Sequence, residues 1–153
     1  DVERSRGLGD VYKRQPVGGT YYVQALTWTP DVTIASLICG LLIDTLLVVN
    51  NYRDREADAR SGKRTVIVRF GEKFGRYFYL MLGITASLLC LCFLREGHFY
   101  AAFLPQLYLI PHFLTWKRMV KIYSGKKLNS ILGETSRNML LMGILIAIGM
   151  LIN

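Results

Sequence analysis

The sequence predicts an all-α protein, a polytopic transmembrane helix bundle with about four full spans and part of another. Three observations carry that reading. The chain is 52% hydrophobic with mean hydropathy +0.28, yet its net charge is +8. Its charges fall in blocks between long uncharged runs, as they do in proteins that cross a bilayer repeatedly. The basic blocks also occupy alternate connections. Nucleic-acid binding, the usual reading of a pI near 9.6, is set aside because the basic residues lie between apolar spans. Cys39, Cys90 and Cys92 all sit within apolar runs and make no metal-ligand spacing, so they read as small buried or lipid-facing residues.

The first fifteen residues, DVERSRGLGDVYKRQ, carry seven charges and no apolar period. They are expected to be foreign to the fold, an adaptor-derived tail, leaving residues 16–153 as the domain. Pro16–Thr29 is apolar and aromatic but only fourteen residues long. A spanning helix needs about 20 residues, so this run is expected to be the end of a longer helix, and the chain a fragment. Pro30 and Asp31 break the pattern, with Asp31 or Thr33 as the expected N-cap. Val32–Val49 is the first full span, interrupted only by Asp44, and Tyr77–Leu94 is the second, with no charge. After a turn at Arg95–Gly97, the third runs from His98 or Phe99 to Trp116 and should bend at Pro105 and Pro111. The fourth is Asn138–Ile152, extendable back to about Leu132.

The Asn50–Arg76 connection holds eight Lys and Arg, Lys117–Lys127 holds five, and the Arg95 turn one. By the positive-inside rule the two basic connections face the cytoplasm, in an integral protein of a bacterial inner or plasma membrane.

The chemistry is expected in the Asn50–Arg76 stretch, NNYRDREADARSGKRTVIVRFGEKFGR. Asp54 and Asp58, four apart, share a helical face with Asn51 close by. Like charges at that spacing repel unless a cation lies between them, and Mg²⁺ binds through one or two carboxylates plus phosphate oxygens. Lys63, Arg64 and Arg60 follow at once and could neutralise the remaining phosphate charge. Spacing alone leaves a plain alternative open, a basic topology signal with interspersed surface ion pairs. Asp44, deep in the first span, shares a face with Asn51 and Asp58 at intervals of seven. It reads either as a cavity-lining group below the metal site or as a structural hydrogen-bonded residue.

The run NNYRDREADARSGKRTVIVRFG resembles the second aspartate-rich motif of the UbiA superfamily of intramembrane prenyltransferases. Within it, the nearest likeness is to the menaquinone-pathway branch that acts on 1,4-dihydroxy-2-naphthoate. That pattern, N-N-x-R-D-x-x-x-D-x-x-x-G-K-x-T-x-x-V-R-x-G, is matched at Asn50, Asn51, Arg53, Asp54, Asp58, Gly62, Lys63, Thr65, Val68, Arg69 and Gly71. GGTYYVQ (Gly18–Gln24) and LNSILGETSRNMLLMGILIAIG (Leu128–Gly149) resemble flanking segments, so the likeness covers residues 16–153, a carboxyl-terminal half. The resemblance implies a UbiA-like helical bundle in which Asp54 and Asp58 hold Mg²⁺ against a polyprenyl diphosphate. It makes Lys63 and Arg64 phosphate contacts and Asn51 a supporting polar group; Arg53, within the motif, and Asp44, by its place on the helix, are expected on the substrate side as well. It further implies attack by the naphthoate ring on the allylic carbon, with loss of CO₂, giving demethylmenaquinone.

The family's first aspartate motif, N-x-x-x-D-x-x-x-D, is absent from this sequence, whose only Asp residues before Asp44 are Asp31, Asp1 and Asp10. The chain by itself is therefore expected to be inactive. Two other readings stand beside this one: a prenyltransferase of the superfamily with another aromatic acceptor, and a transporter or membrane scaffold in which Asp44 relays ions. His98 and His112 are isolated and read as structural. The Lys117–Lys127 segment reads as a topology signal, with anionic-lipid binding as a lesser role.

Overall fold

A computed structural model describes residues 20–21 and 23–152. The expected tail, Asp1–Gln15, and the opening of the Pro16–Thr29 run lie outside the described residues. Every regular element described is helical, as hydrocarbon demands, because a helix satisfies its own backbone polar groups.

Helix α1 spans Pro30–Arg60 and α2 spans Val66–Leu89, the latter running on as a 3-10 segment, Cys90–Glu96. Two short pieces follow, helix α3 (Phe99–Phe103) and a 3-10 segment (Leu104–Tyr108), leading into α4 (Leu109–Ile122). A 3-10 turn at Lys126–Leu128 opens α5, Asn129–Ile152. Three of these units are long and apolar enough to cross a membrane: Pro30–Arg60, Val66–Glu96 and Lys126–Ile152. The expected third span has a different form. Pro105 carries no N–H and is the second residue of a 3-10 segment, so residues 99–122 are divided and neither α-helical piece reaches bilayer length alone. This divided segment nevertheless runs antiparallel to α5. Ala101 lies against Gly149, Asn138 Nδ2 donates to Thr115 Oγ1 at 3.0 Å, and Arg118 pairs with Glu134.

Thr29, rather than Asp31 or Thr33, caps α1; its hydroxyl accepts from the Val32 N–H at 3.4 Å, with Pro30 in the first turn. The helix then continues far past the apolar run, through the polar residues to Arg60. The long connection expected from composition is therefore mostly helix, and only residues 61–65 are loop. Inside α2, Gly71 has φ +86° and ψ 171°, a conformation nearly confined to glycine, and it divides a first turn, Val66–Phe70, from the membrane helix.

Two apolar clusters hold the bundle. One gathers Ile38, Leu42, Ala86, Phe93, Tyr108 and Met142 toward the Arg95 end. The other gathers Val49, Tyr52, Ile67, Tyr79, Met119 and Ile131 toward the polar end. Between them His112 is buried, stacked on Tyr79 and Tyr108 at 4.7 and 5.1 Å. Its Nε2 lies 3.3 Å from the Leu80 carbonyl, which can only accept, so Nε2 carries the proton. Nδ1 then accepts from the Tyr108 hydroxyl at 3.0 Å. A ring so enclosed is structural, as its isolation in the sequence suggested.

The α5 contact is close enough to test. A Cβ on Gly149 would lie 2.5 Å from the Ala101 backbone, whereas one on Gly143 would meet nothing within 4 Å. Gly149→Ala is expected to cost about 1–3 kcal/mol and to lower the thermal midpoint of the purified protein in detergent. Gly143→Ala should leave that midpoint in place.

Candidate functional site

The site residues gather where α1 leaves its apolar run. Asp54 and Asp58 occupy the last two turns of α1, one turn apart as their spacing required. Each already faces a cation. Arg53 grips Asp54 bidentately, Nε to Oδ1 and Nη2 to Oδ2, both at 2.7 Å. Lys63 Nζ lies 3.0 Å from Asp58 Oδ1. Asp58 is buried and Asp54 more open, with 39% of its side chain exposed.

Lys63 reaches Asp58 because of how the helix ends. Ser61 is the C-cap and Gly62 follows at φ +74°. The Gly62 N–H donates to the Ala59 carbonyl at 3.2 Å and the Lys63 N–H to the Asp58 carbonyl at 2.9 Å. That pair of bonds is a Schellman motif, which folds the chain back over its own last turn. Thr65 then caps α2, its hydroxyl accepting from the Val68 N–H at 3.2 Å. In the G-K-x-T part of the pattern, then, glycine stops one helix, lysine returns to its carboxylate and threonine starts the next.

Arg53 links the site to the far end of the chain. Its Nη2 donates to Asn50 Oδ1 at 2.8 Å and its Nη1 to Asn129 Oδ1, at the start of α5, at 2.9 Å. Sequence reasoning favoured Asn51, which is half-buried, and did not select Asn50 or Asn129. Asn50 was visible as the other half of the N-N pair, exactly three residues before Arg53; Asn129 lay in the Leu128–Gly149 stretch but had no local signal tying it to Arg53. Arg64 is exposed and makes no ion pair among the described residues. Asp44 is half-buried in mid-helix, about 15 Å along the axis from Asp54.

Below the charges, α1 and α5 flank an apolar groove lined by Ile43, Leu46, Leu47, Asn50, Leu132, Gly133 and Ser136, with a volume of about 530 Å³. Ile43, Leu47, Asn50 and Asp54 follow one another at steps of four, three and four, a single helical stripe. The groove lining ends at Asn50, and Asp54 lies one helical turn further along the same stripe. Asp44 is turned about 100° from Ile43 around the helix and stands off that stripe.

Asp54 lies beyond the apolar run that ends at Val49. The hydrogen-bonded Arg53 guanidinium holds its carboxyl below the ordinary carboxylate range, against a smaller desolvation effect, and Lys63 adds to the attraction. Two carboxylates one turn apart are oxygen donors of the kind a hard divalent cation takes, although in this structure each faces a side-chain cation and the nearby Asn50 and Asn129 amide oxygens accept from Arg53. Among the described residues no group of three His, Cys, Asp or Glu side chains forms a metal cluster. A cation held here would complete its shell with water or phosphate oxygen.

The chain is thus a helical bundle with spans apolar enough to cross a membrane, an apolar groove between α1 and α5, and two carboxylate–cation pairs at the polar end of α1. The chain belongs to the UbiA prenyltransferase family, whose model matches residues 14–151. It is 33% identical to the 1,4-dihydroxy-2-naphthoate octaprenyltransferase of Haemophilus influenzae, over 95% of this chain and 49% of that protein. The enzyme of the same name from Escherichia coli is 38% identical over 56% of this chain and 29% of its own length. That from Mycobacterium leprae is 33% identical over 55% and 30% respectively. The chain thus spans about half the length of the Haemophilus relative and under a third of the other two. No solved structure matches it significantly.

The Arg53–Asp54 pair has a pH signature. A depressed carboxyl pKa contributes stability that is present above the unfolded value of about 3.9 and is lost as pH falls through the folded value. With both partners partly exposed, the contribution should be at most about 1 kcal/mol. Carbon-detected NMR of labelled Asp54 should show titration below that unfolded value, and Arg53→Gln should move it upward.

Proposed function

We propose that this chain provides the diphosphate-holding side of a prenyltransferase that joins a polyprenyl group to 1,4-dihydroxy-2-naphthoate. The observation that carries the reading is the continuous stripe from the Ile43–Asn50 groove floor to Asp54, because it offers one path for an apolar tail and its charged head. The names of the three relatives support the same acceptor and an octaprenyl-type donor.

On this reading the prenyl tail lies along Ile43, Leu46, Leu47 and Leu132, and the diphosphate meets the polar end of α1. Asp54 and Asp58 would hold Mg²⁺, which supplies charge neutralisation to the departing diphosphate when bound. Once their carboxylates are engaged elsewhere, Arg53 and Lys63 are released toward phosphate oxygens. Arg64, exposed beside Lys63, is a further phosphate contact. Asn50 and Asn129 keep Arg53 in place while its carboxylate partner changes. The allylic C–O bond breaks with its electron pair leaving on the diphosphate. The ring carbon that bears the carboxylate bonds to the allylic carbon, and that carboxylate departs as CO₂, its C–C electron pair returning to the ring to restore aromaticity. Electrostatic preorganisation around the leaving group is the protein's main contribution.

The polar end faces the cytoplasm on this reading, because the eight- and five-cation connections both lie there. On this reading the chain provides one side of the site.

In membranes carrying the full-length protein, Mg²⁺-dependent prenylation of dihydroxynaphthoate is the expected activity. Asp54→Ala and Asp58→Ala should each reduce it by about 100-fold or more. Full activity in either variant would remove the metal-holding role.

A further inference from the structure

Arg55 lies on the opposite side of Asp54 from Arg53, and the proposed chemistry makes no use of it. It is nonetheless only 9% exposed. Its Nη1 donates to the Tyr52 carbonyl at 2.8 Å, and its guanidinium lies between two phenol rings, 4.5 Å from Tyr52 and 5.0 Å from Tyr123. Its Nη2 is 3.7 Å from Glu72 and 3.9 Å from Glu56. Arg76 approaches the same group from α2. It donates through Nε to the Tyr52 hydroxyl at 2.9 Å, pairs with Glu72 at 3.4 Å and lies 5.2 Å from the Tyr123 ring. Glu72 is thus shared by two arginines, and Tyr123 covers both.

The backbone at Tyr123 is itself unusual. Its φ of 66° and ψ of −56°, with the Ser124 N–H donating to the Ile122 carbonyl at 2.8 Å, form the rare and strained variety of γ-turn. A bulky residue with positive φ persists only where its surroundings over-determine it. Here the surroundings are the two guanidiniums beneath its ring.

The cluster sits at a mechanical joint. Glu72 is the first residue after Gly71, where α2 is interrupted, and residues 61–70 connect that joint to the Asp58 end of α1. The connection is tied down at one end by the Gly62–Lys63 cap and in the middle by buried Ile67. Gly75 leaves room for Ile67 to sit against Tyr52, since a Cβ there would lie 2.5 Å from Ile67 Cδ1 and 3.2 Å from Tyr52 Cδ2. Glu72 is the remaining tie. We propose that Arg55, Glu72, Arg76 and Tyr123 form a clasp that positions the 61–70 connection, and through it Lys63, over the carboxylate end of α1, with Tyr123 as its positioning residue. The role in catalysis rests on the diphosphate reading of Asp54, Asp58 and Lys63. The positioning of the connection does not.

The test uses the full-length protein in detergent or nanodiscs, with two independent readouts. Tyr123→Gly relieves the backbone strain but removes the ring, Tyr123→Phe keeps the ring, and Glu72→Gln cuts the tie. Lys63 meets the diphosphate on binding and more strongly as charge builds on it during C–O cleavage, so loosening it raises KM and lowers kcat together. Tyr123→Gly and Glu72→Gln should each lower kcat/KM for polyprenyl diphosphate about five- to tenfold through a shift in both constants, with KM raised at least about twofold. Tryptic cleavage after Lys63 and Arg64, followed by mass spectrometry, should accelerate in the same two variants. Tyr123→Phe, which keeps the ring over both guanidiniums and loses only the hydroxyl's interaction with Glu72, should recover the larger part of both readouts. Where Tyr123→Gly fails to fold, Glu72→Gln decides. Wild-type KM and cleavage rate in the folded variants would overturn the clasp. Faster cleavage with no Mg²⁺-dependent transfer even in the wild type would uphold the clasp and defeat the diphosphate reading.

Discussion

Two carboxylates one helical turn apart repel, and the polar end of this bundle is arranged around that repulsion. Asp54 and Asp58 coexist because each meets a cation delivered by a different local device. Arg53 adjoins Asp54 on the same helix and is steadied from α5 by Asn129. Lys63 is carried back to Asp58 by a helix cap. Lys63 is the more exposed of the two cations, whereas Arg53 is held by two amide oxygens as well as by its carboxylate.

The membrane imposes the complementary constraint. In hydrocarbon the backbone must satisfy itself, which accounts for the helical character of every described element. Polar contacts within the bundle are correspondingly few and specific. Asn138 reaches Thr115, Tyr79 reaches Thr135, and His112 is held between Tyr108 and the Leu80 carbonyl. Each joins two segments, so they fix the register of helices whose apolar surfaces alone would allow sliding. Gly149 against Ala101 does the same by close approach.

Apolar length and charge blocks made the bundle legible, and helical spacing put Asp54 and Asp58 on one face without help from any relative. The Gly62–Lys63 return was present in the letters as a helix-stop signal, although its effect on Lys63 needed coordinates. Other features had no local signal. Composition marked residues 50–76 as a polar connection, but α1 stays helical to Arg60 because Arg55 and Asp58 are paired rather than solvated. Asn129 is 76 residues from Arg53, and Tyr123 is almost as far from Arg55. Such partners are brought together by tertiary packing and leave no periodic trace. The divided third span shows the reverse: Pro105 announced a bend, but not that it would appear as a 3-10 segment.

Gly71 carries a lesson about tolerance to change. A Cβ built there would meet nothing within 4 Å, so a survey of free space would accept alanine without objection. The torsion angles say otherwise, since φ +86° with ψ 171° is essentially closed to any L-side chain. The position is open in volume and shut in angle. Protein engineers who fill cavities to stabilise this bundle should therefore leave it alone, because any larger residue would have to redraw the path between α1 and α2 rather than merely occupy a vacancy.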